Sequence, residues 1–209
     1  MERVFWKFKR EWEIIYLDKV DSTQKFFIKN LDNFNLPSLV WSEYQTDGIG
    51  SRENKWIGKK GNLFFSFGDF ISNYKNVPLH SFSIYFGFLF KKILNELGSK
   101  VIMKWPNDIY LDGKKIGGVL TQVKKDLVIC GIGLNRFEVD GFGKLDIDVK
   151  NDKILSAFLK KLDSGVLFGD VIFEFKEEFD RYKGMFGIDG ELSWDGSIVK
   201  NQKKVYSWR

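Results

Sequence analysis

Cysteine and histidine occur once each in this chain, as Cys130 and His80, and proline three times. A lone cysteine has no partner for an internal disulfide, and one histidine beside one cysteine forms no cluster at zinc-ligand spacing. The same scarcity argues against a Ser-His or Cys-His hydrolase, and no G-x-S-x-G occurs. So few prolines exclude a Pro-rich linker. Long apolar runs are missing too: FSIYFGFLFKKILNEL, the most apolar stretch, is broken by Lys91 and Lys92, short of the roughly 18 residues of a membrane span. The opening MERVFWKFKREWEIIYL mixes charges among its apolar residues and lacks a signal peptide's apolar core. The expectation is a cytoplasmic protein with no membrane segment.

What is present points to a packed globular chain. With 209 residues, 44% hydrophobic and 17% aromatic, it suits one medium domain, or one domain with a small appendage. The formal charge of +5 would suit an anionic ligand or nucleic acid, but the lysines are scattered through most of the chain, so a solvated surface is the preferred reading.

Local patterns place the elements. EIIYLDKV (13–20) reads as a strand, and Ser22 or Thr23 can cap a short helix presenting Phe26, Phe27 and Leu31. LVWSEY (39–44) and Leu63 to Phe67 read as strands. Between them Gln45 to Asn62 is Gly-rich, charged and aperiodic, longer than an ordinary loop. Ser81 is placed to cap a helix running to Leu97, with Gly98 at its C-terminal end. From Val101 the pattern turns to strands, with Asp112-Gly113 a strong hairpin signal. Helices follow at Ile154 to Leu162 and about Val171 to Tyr182, and the end of the chain reads as short strands turning at Asp195-Gly196. The mixture predicts an α+β fold.

Two segments could carry chemistry. In KWPNDIYLDGKKIGG (104–118), Pro106 biases Trp105 toward extended backbone and cannot join a ladder, so Asn107 and Asp108 are presented at a strand end. Asn-Asp suits a cation or a hydroxyl-bearing ligand and is also ordinary turn chemistry. Lys115 lies on the return strand, and Gly117-Gly118 admits a ligand or forms a bulge. The long loop adds Gly48, Gly50, Arg52, Lys55, Lys59, Lys60 and Trp56, a set that can cradle phosphates under an aromatic lid or form a flexible surface loop. Neither a Walker A motif nor a strand-anchored G-x-G-x-x-G occurs. Trp105 and Cys130 read as core residues.

The chain resembles biotin protein ligases through DSTQ (21–24), EYQTDGIGSRENKW (43–56), GNLFFSF (61–67), KWPNDIYLDGKKIGGVL (104–120) and GIGLN (131–135), in family order. The resemblance implies a monofunctional enzyme that makes biotinyl-5'-AMP from biotin and ATP with Mg²⁺, then biotinylates a lysine of a biotin carboxyl carrier protein such as that of acetyl-CoA carboxylase. It implies a class II aminoacyl-tRNA-synthetase-like catalytic domain at 1–184, with a mixed, largely antiparallel sheet flanked by helices. A reduced SH3-like β segment is expected at 185–209. By the same resemblance Lys115, Arg52 and Asp108 are catalytic. Ser22, Thr23, Gln45, Gly48, Lys115 and Gly118 hold biotin, while Arg52, Trp56, Asn107, Asp108, Lys115 and Asn135 hold the adenylate, with Asp108 toward the metal. Ile49 and Ser51 stand where the family commonly has arginines, so Arg52 is expected to take the phosphate contact and the adenylate to be held less firmly. The DST motif begins too early for a winged helix, so no sequence-specific DNA binding is expected, and the enzyme is expected to be a monomer or weak homodimer. A lipoate or octanoyl ligase and a basic RNA-binding protein are the rival readings; no RNP- or KH-type signature supports the latter.

Overall fold

The computed structural model describes the backbone of residues 2–4 and all of residues 8–51 and 54–206. An eight-stranded sheet forms its frame, from β1 (Glu2–Val4), β2 (Glu13–Leu17), β3 (Ser38–Ser42), β6 (Leu63–Phe70), β7 (Ile102–Lys104), β8 (Asp108–Leu111), β9 (Lys114–Lys124) and β10 (Leu127–Leu134). The order is β1-β2-β3-β6-β10-β9-β8-β7. Only β2 and β3 run parallel, joined through α1 (Thr23–Lys29); every other neighbouring pair is antiparallel. The expected α+β plan with a mixed, largely antiparallel sheet is what the chain adopts.

The two faces carry different layers. In β6, Leu63, Phe65 and Phe67 join the large core with α2 (Phe82–Glu96), α3 (Asn151–Asp163) and α4 (Phe168–Tyr182). Phe65 packs on Phe90 and Phe158 at ring-centroid distances of 5.6 Å, and Phe67 meets Phe86 at 5.0 Å. The alternate residues Phe64, Ser66 and Gly68 face the other way, as the two-residue period of a strand requires. There the short α1 lays Phe27 over Gly68, where a β-carbon would lie 2.6 Å from the ring, and packs against Ile15, Val40 and Ile129. This side is only partly covered, and the uncovered part is the site described below.

Most of α2 is buried, and its Lys91 and Lys92 pair with Glu178 and Glu174 of α4. Ser81 does sit at the N-cap, but its hydroxyl donates to the Asp195 carbonyl instead of capping the helix. Long-range demand on the hydroxyl overrides the local motif. Asp112 and Gly113 both have positive φ, 48° and 74°, as a two-residue type I′ hairpin needs. The 45–62 loop contains a two-stranded hairpin that its aperiodic sequence conceals, β4 (Gly48–Ile49) on β5 (Lys55–Trp56). Near the C-terminus β11 (Glu191–Leu192), β12 (Ile198–Lys200) and β13 (Lys203–Val205) form a small sheet, with the expected turn at Asp195-Gly196. Leu192 and Ile198 join the main core.

Two buried phenols give the fold an alkaline limit. Burial pushes Tyr85 up to about 12 and Tyr74 well above its ordinary value, the latter reinforced by neighbouring Asp69. A group whose pKa rises on folding contributes stability below its unfolded pKa and loses it as pH climbs through the folded one. For Tyr85 the window is about pH 10 to 12, and roughly 2 to 3 kcal/mol is expected to vanish across it. Thermal melts from pH 8 to 12 should show that loss, with a flatter alkaline limb in Tyr85→Phe.

Candidate active site

The site begins with an irregularity in strand pairing. Along β8 and β9, Tyr110 pairs with Lys115 but Ile109 pairs with Gly117, so Ile116 is an extra residue. Without this bulge Lys115 and Gly118, three apart, would face opposite sides of the sheet. With it, Ile116 turns into the core while Lys115, Gly118 and Asp108 share the open face. The Lys115 ammonium lies 2.7 Å from Asp108 Oδ1 and 5.5 Å from the centre of the Trp56 ring.

These residues border a cavity of about 340 Å³ between the open face of β6, β9 and β10, the start of α1 and the β4–β5 hairpin. Its floor is glycine. Gly131 and Gly133 are two apart on β10 and so face the same way, beside Gly118 on β9. A β-carbon on Gly133 would lie 2.8 Å from the Trp56 indole, and one on Gly118 would lie 3.0 Å from it. Glycine therefore lets the Trp56 ring lie directly on the sheet.

The inner end of the cavity is polar. Gln45 Oε1 accepts from the Thr23 backbone N–H at 2.7 Å and from the Thr23 hydroxyl at 3.0 Å, and Ser66 donates to Thr23 Oγ1 at 3.0 Å. This chain of bonds fixes the direction of each group and places the Gln45 amide nitrogen against Gly48. Ser22 caps α1 loosely, accepting from Lys25 N at 3.4 Å, and is buried at the cavity wall. Gln24 is only 4% exposed, yet neither its amide oxygen nor its nitrogen has a hydrogen-bond partner in the protein. A buried amide left unpaired costs roughly 1–3 kcal/mol, and Gln24 lies on the cavity wall, where a ligand can reach it.

Two asparagines brace this arrangement. Asn107 is tied to Val119 twice, by its side-chain N–H to the carbonyl and by its own carbonyl to Val119 N–H, both at 2.8 Å. Asn135 is buried, accepting from Asn62 Nδ2 at 3.2 Å and donating to the Gly143 carbonyl at 3.3 Å, while Gly143 N–H bonds the Lys115 carbonyl at 2.9 Å. Both line the cavity and both hold the strand that carries Lys115, Asn107 through its side chain and Asn135 through its backbone N–H to the Ile116 carbonyl.

The structure thus brings together Ser22, Thr23, Gln45, Trp56, Asn107, Asp108, Lys115, Gly118 and Asn135, while Gly48 abuts both Gln45 and Trp56. Arg52 lies outside the described residues. Gln24, Ser66, Gly131 and Gly133 are cavity residues that the sequence reading quoted within motifs without assigning them to the site. For the three strand residues the signal was the two-residue period: Ser66 interrupts the phenylalanines of FFSF, and the glycines alternate in GIG.

The profile of the Biotin/lipoate A/B protein ligase family matches residues 16–135, more than half of the chain. The chain belongs to the biotin/lipoate A/B protein ligase family. Among solved structures, the biotin acetyl coenzyme A carboxylase synthetase from Helicobacter pylori, determined with bound biotinylated ATP, is 38% identical, with a TM-score of 0.85 over 91% of this chain and 97% of that one. The biotin protein ligase from Aquifex aeolicus in complex with biotin and ATP has a TM-score of 0.72 at 23% identity, over 93% of this chain and 95% of that one, and supports the fold alone. Biotin–protein ligase 2 of Arabidopsis thaliana is 29% identical over 170 residues, 72% of this chain and 52% of that protein. The chain spans about half the length of the curated relatives it matches first. This ligase-family fold is the class II aminoacyl-tRNA-synthetase-like arrangement. The family match ends at Asn135, so the 136–145 segment that braces Lys115 and everything beyond it lie outside the matched region.

Proposed function

We propose that the protein is an ATP-dependent biotin protein ligase, activating biotin as biotinyl-5'-AMP and transferring it to a lysine of a biotin carboxyl carrier domain. The observation that carries this reading is the polar inner end of the cavity, with the unpaired amide of Gln24 beside the Thr23–Gln45–Ser66 chain. A ureido ring carries donors and acceptors that such an end can satisfy. The dithiolane of lipoate and the methyl end of octanoate would leave those groups buried and unpaired, which is strongly disfavoured.

At the other end Lys115 would meet the substrate carboxylate and the α-phosphate. A carboxylate oxygen attacks the α-phosphorus and pyrophosphate leaves. In the second step a lysine amine attacks the acyl carbon, AMP leaves, and the amine loses a proton. Lys115 screens the two anions as they approach, and Trp56 covers the reacting region. Among the described residues Asp108 is the one carboxylate lining the cavity, and no group of three or more potential His, Cys, Asp or Glu metal ligands is found among them. That donor set fits magnesium held mainly by substrate phosphates and water with one protein carboxylate, the usual manner for this ion; it would supply charge neutralisation on the phosphates.

The proposed catalytic domain is 1–184, with 185–209 a reduced SH3-like segment, and the proposed setting is a cytoplasmic monomer or weak dimer. No helix among the described residues is long and apolar enough to cross a membrane. Ile49 and Ser51 line the cavity where family members commonly have arginines, and Arg52 is proposed to contact phosphate. The adenylate is accordingly expected to leak from the enzyme within minutes, measurable by filter-trapping labelled biotinyl-AMP; retention for hours would remove that expectation.

Biotin-dependent exchange of pyrophosphate into ATP, repeated with lipoate and octanoate, tests the reading, followed by transfer of labelled biotin to an apo carrier domain. Exchange with biotin alone is expected. Exchange with lipoate or octanoate instead would reassign the substrate within the family. Gln24→Leu should weaken biotin binding about ten- to a hundred-fold. Calorimetry of binding and thermal melts should show this loss with an unchanged or higher Tm, because the variant removes an unpaired buried amide; unchanged binding would take Gln24 out of the site.

A further inference from the structure

The Trp-Pro-Asn-Asp turn is held from two directions. On one side Asn107 bonds Val119 of β9. On the other, the Trp105 indole N–H donates to the Gly196 carbonyl at 2.9 Å, across 91 residues of sequence. Trp105 is 1% exposed and lies three positions before Asp108, the residue paired with Lys115. Gly196 is itself seated firmly. Its φ is 85°, a β-carbon there would lie 2.3 Å from Ser81 Oγ, and the preceding carbonyl of Asp195 accepts from Ser81 and contacts His80 Nε2 at 2.9 Å. The Asp195 carboxylate accepts from Ser197 N–H at 3.0 Å and Ser197 Oγ at 2.6 Å, and pairs with Lys204. Burial works against that charge, but these bonds prevail and hold its pKa below the usual carboxylate range.

We propose that the β11–β12 hairpin is a positioning element for the nucleotide half of the site, acting through the bond between the Gly196 carbonyl and the Trp105 indole. The proposal rests on the ligase reading above. Its selectivity follows from the connections: the Thr23–Gln45–Ser66 chain at the inner end is built on α1, the adjoining loop and β6, with no bond to the hairpin. The hairpin's link toward the cavity is to the turn that carries Asn107 and Asp108, while its bonds to His80, Ser81 and Lys176 go to residues that do not line the cavity. Trp105 and Gly196 are therefore positioning residues that touch no substrate, and they act through Asp108 and Lys115.

The test compares wild type, Trp105→Phe and Gly196→Ala for biotin affinity by calorimetry and for ATP KM and kcat in biotin-dependent pyrophosphate exchange. Lys176→Met serves as a control, because it removes a different tether of the same hairpin, the bond from Lys176 to the Leu192 carbonyl. Both test variants should raise the KM for ATP or lower kcat by about tenfold, since small misplacements of reacting groups are costly. Biotin affinity should stay within twofold, Lys176→Met should change neither, and the double variant should lose no more than the worse single one. Equal loss of biotin and ATP recognition, or a lower Tm with unchanged kinetics, would overturn the proposal. A wild type without biotin-dependent exchange would remove the ligase reading and this inference with it; an active wild type with unaltered variants would remove the inference alone.

Discussion

Lys115→Ala is expected to lower biotin-dependent ATP–pyrophosphate exchange by about a thousand-fold, at the upper end of what removal of one preorganised charge-stabilising donor costs. Adenylation in the proposed reaction brings a carboxylate up to a phosphate. Two unit charges of like sign 4 Å apart repel by about 4 kcal/mol at an effective dielectric constant near 20. Among the described residues the cavity is lined by two lysines, Lys55 and Lys115, and one acid, Asp108. Lys55 is exposed on the short hairpin, whereas Lys115 is fixed by the bulge, by Asp108 at 2.7 Å and through its carbonyl to Gly143. Removing the ammonium also leaves Asp108 as an uncompensated negative charge facing the incoming anions. Asp108→Asn keeps the cation and should lose less. Exchange kinetics on both variants, with melts to show that each is folded, decide the matter; a loss under tenfold in Lys115→Ala would mean that another group neutralises the reactants.

The largest expected effect on stability lies on the opposite face of the sheet. Asp69 is wholly buried and accepts from Phe70 N–H at 2.8 Å, Asn73 Nδ2 at 2.7 Å and the Tyr74 hydroxyl at 2.7 Å, besides pairing with Arg10. Arg10 also donates through Nε to Asp163 Oδ1 at 2.7 Å, and Trp12 Nε1 donates to the same oxygen at 3.0 Å. The network thereby joins the segment before β2, the end of β6 and the last turn of α3. Opposing acids on either side hold the guanidinium charged, against the pull of its burial. Asp69→Ala would strand a phenol, an amide, a backbone N–H and part of a guanidinium together. Breaking a buried pair from one side costs about 3–5 kcal/mol. At roughly 2–4 °C per kcal/mol for a chain of this size, Tm should fall by roughly 6 to 20 °C. Exchange kinetics well below the new Tm should be unaltered, and a cost under 1 kcal/mol in urea titration would show that the network is replaceable.

Much of this protein is written in short windows of its sequence. The amphipathic and buried patterns of the helices, the Asp112-Gly113 turn and the strand runs around it depend on neighbours a few residues away, and they emerged at nearly their observed places. The motifs around Lys115, Trp56 and Thr23 likewise named nine of the residues that line the cavity. Ser81 shows where local reading fails: its position before α2 is that of a cap, but Asp195, 114 residues later, takes its hydroxyl.

What the amino-acid sequence determined alone was therefore most of the elements, the turn chemistry, the family and many of the residue types at the site. Tertiary structure alone decided their alignment. Strand pairing turned K-I-G-G into a bulge that puts Lys115 and Gly118 on one face. Packing brought Thr23 to Gln45 and Ser66, 22 and 43 residues away, and left Gln24 buried beside them without a partner. It also set Arg10 between Asp69 and Asp163 and Trp105 beneath Gly196. The physical reason is that register, burial and hydrogen-bond partners at such separations are properties of the folded arrangement as a whole, and no local period or propensity encodes them.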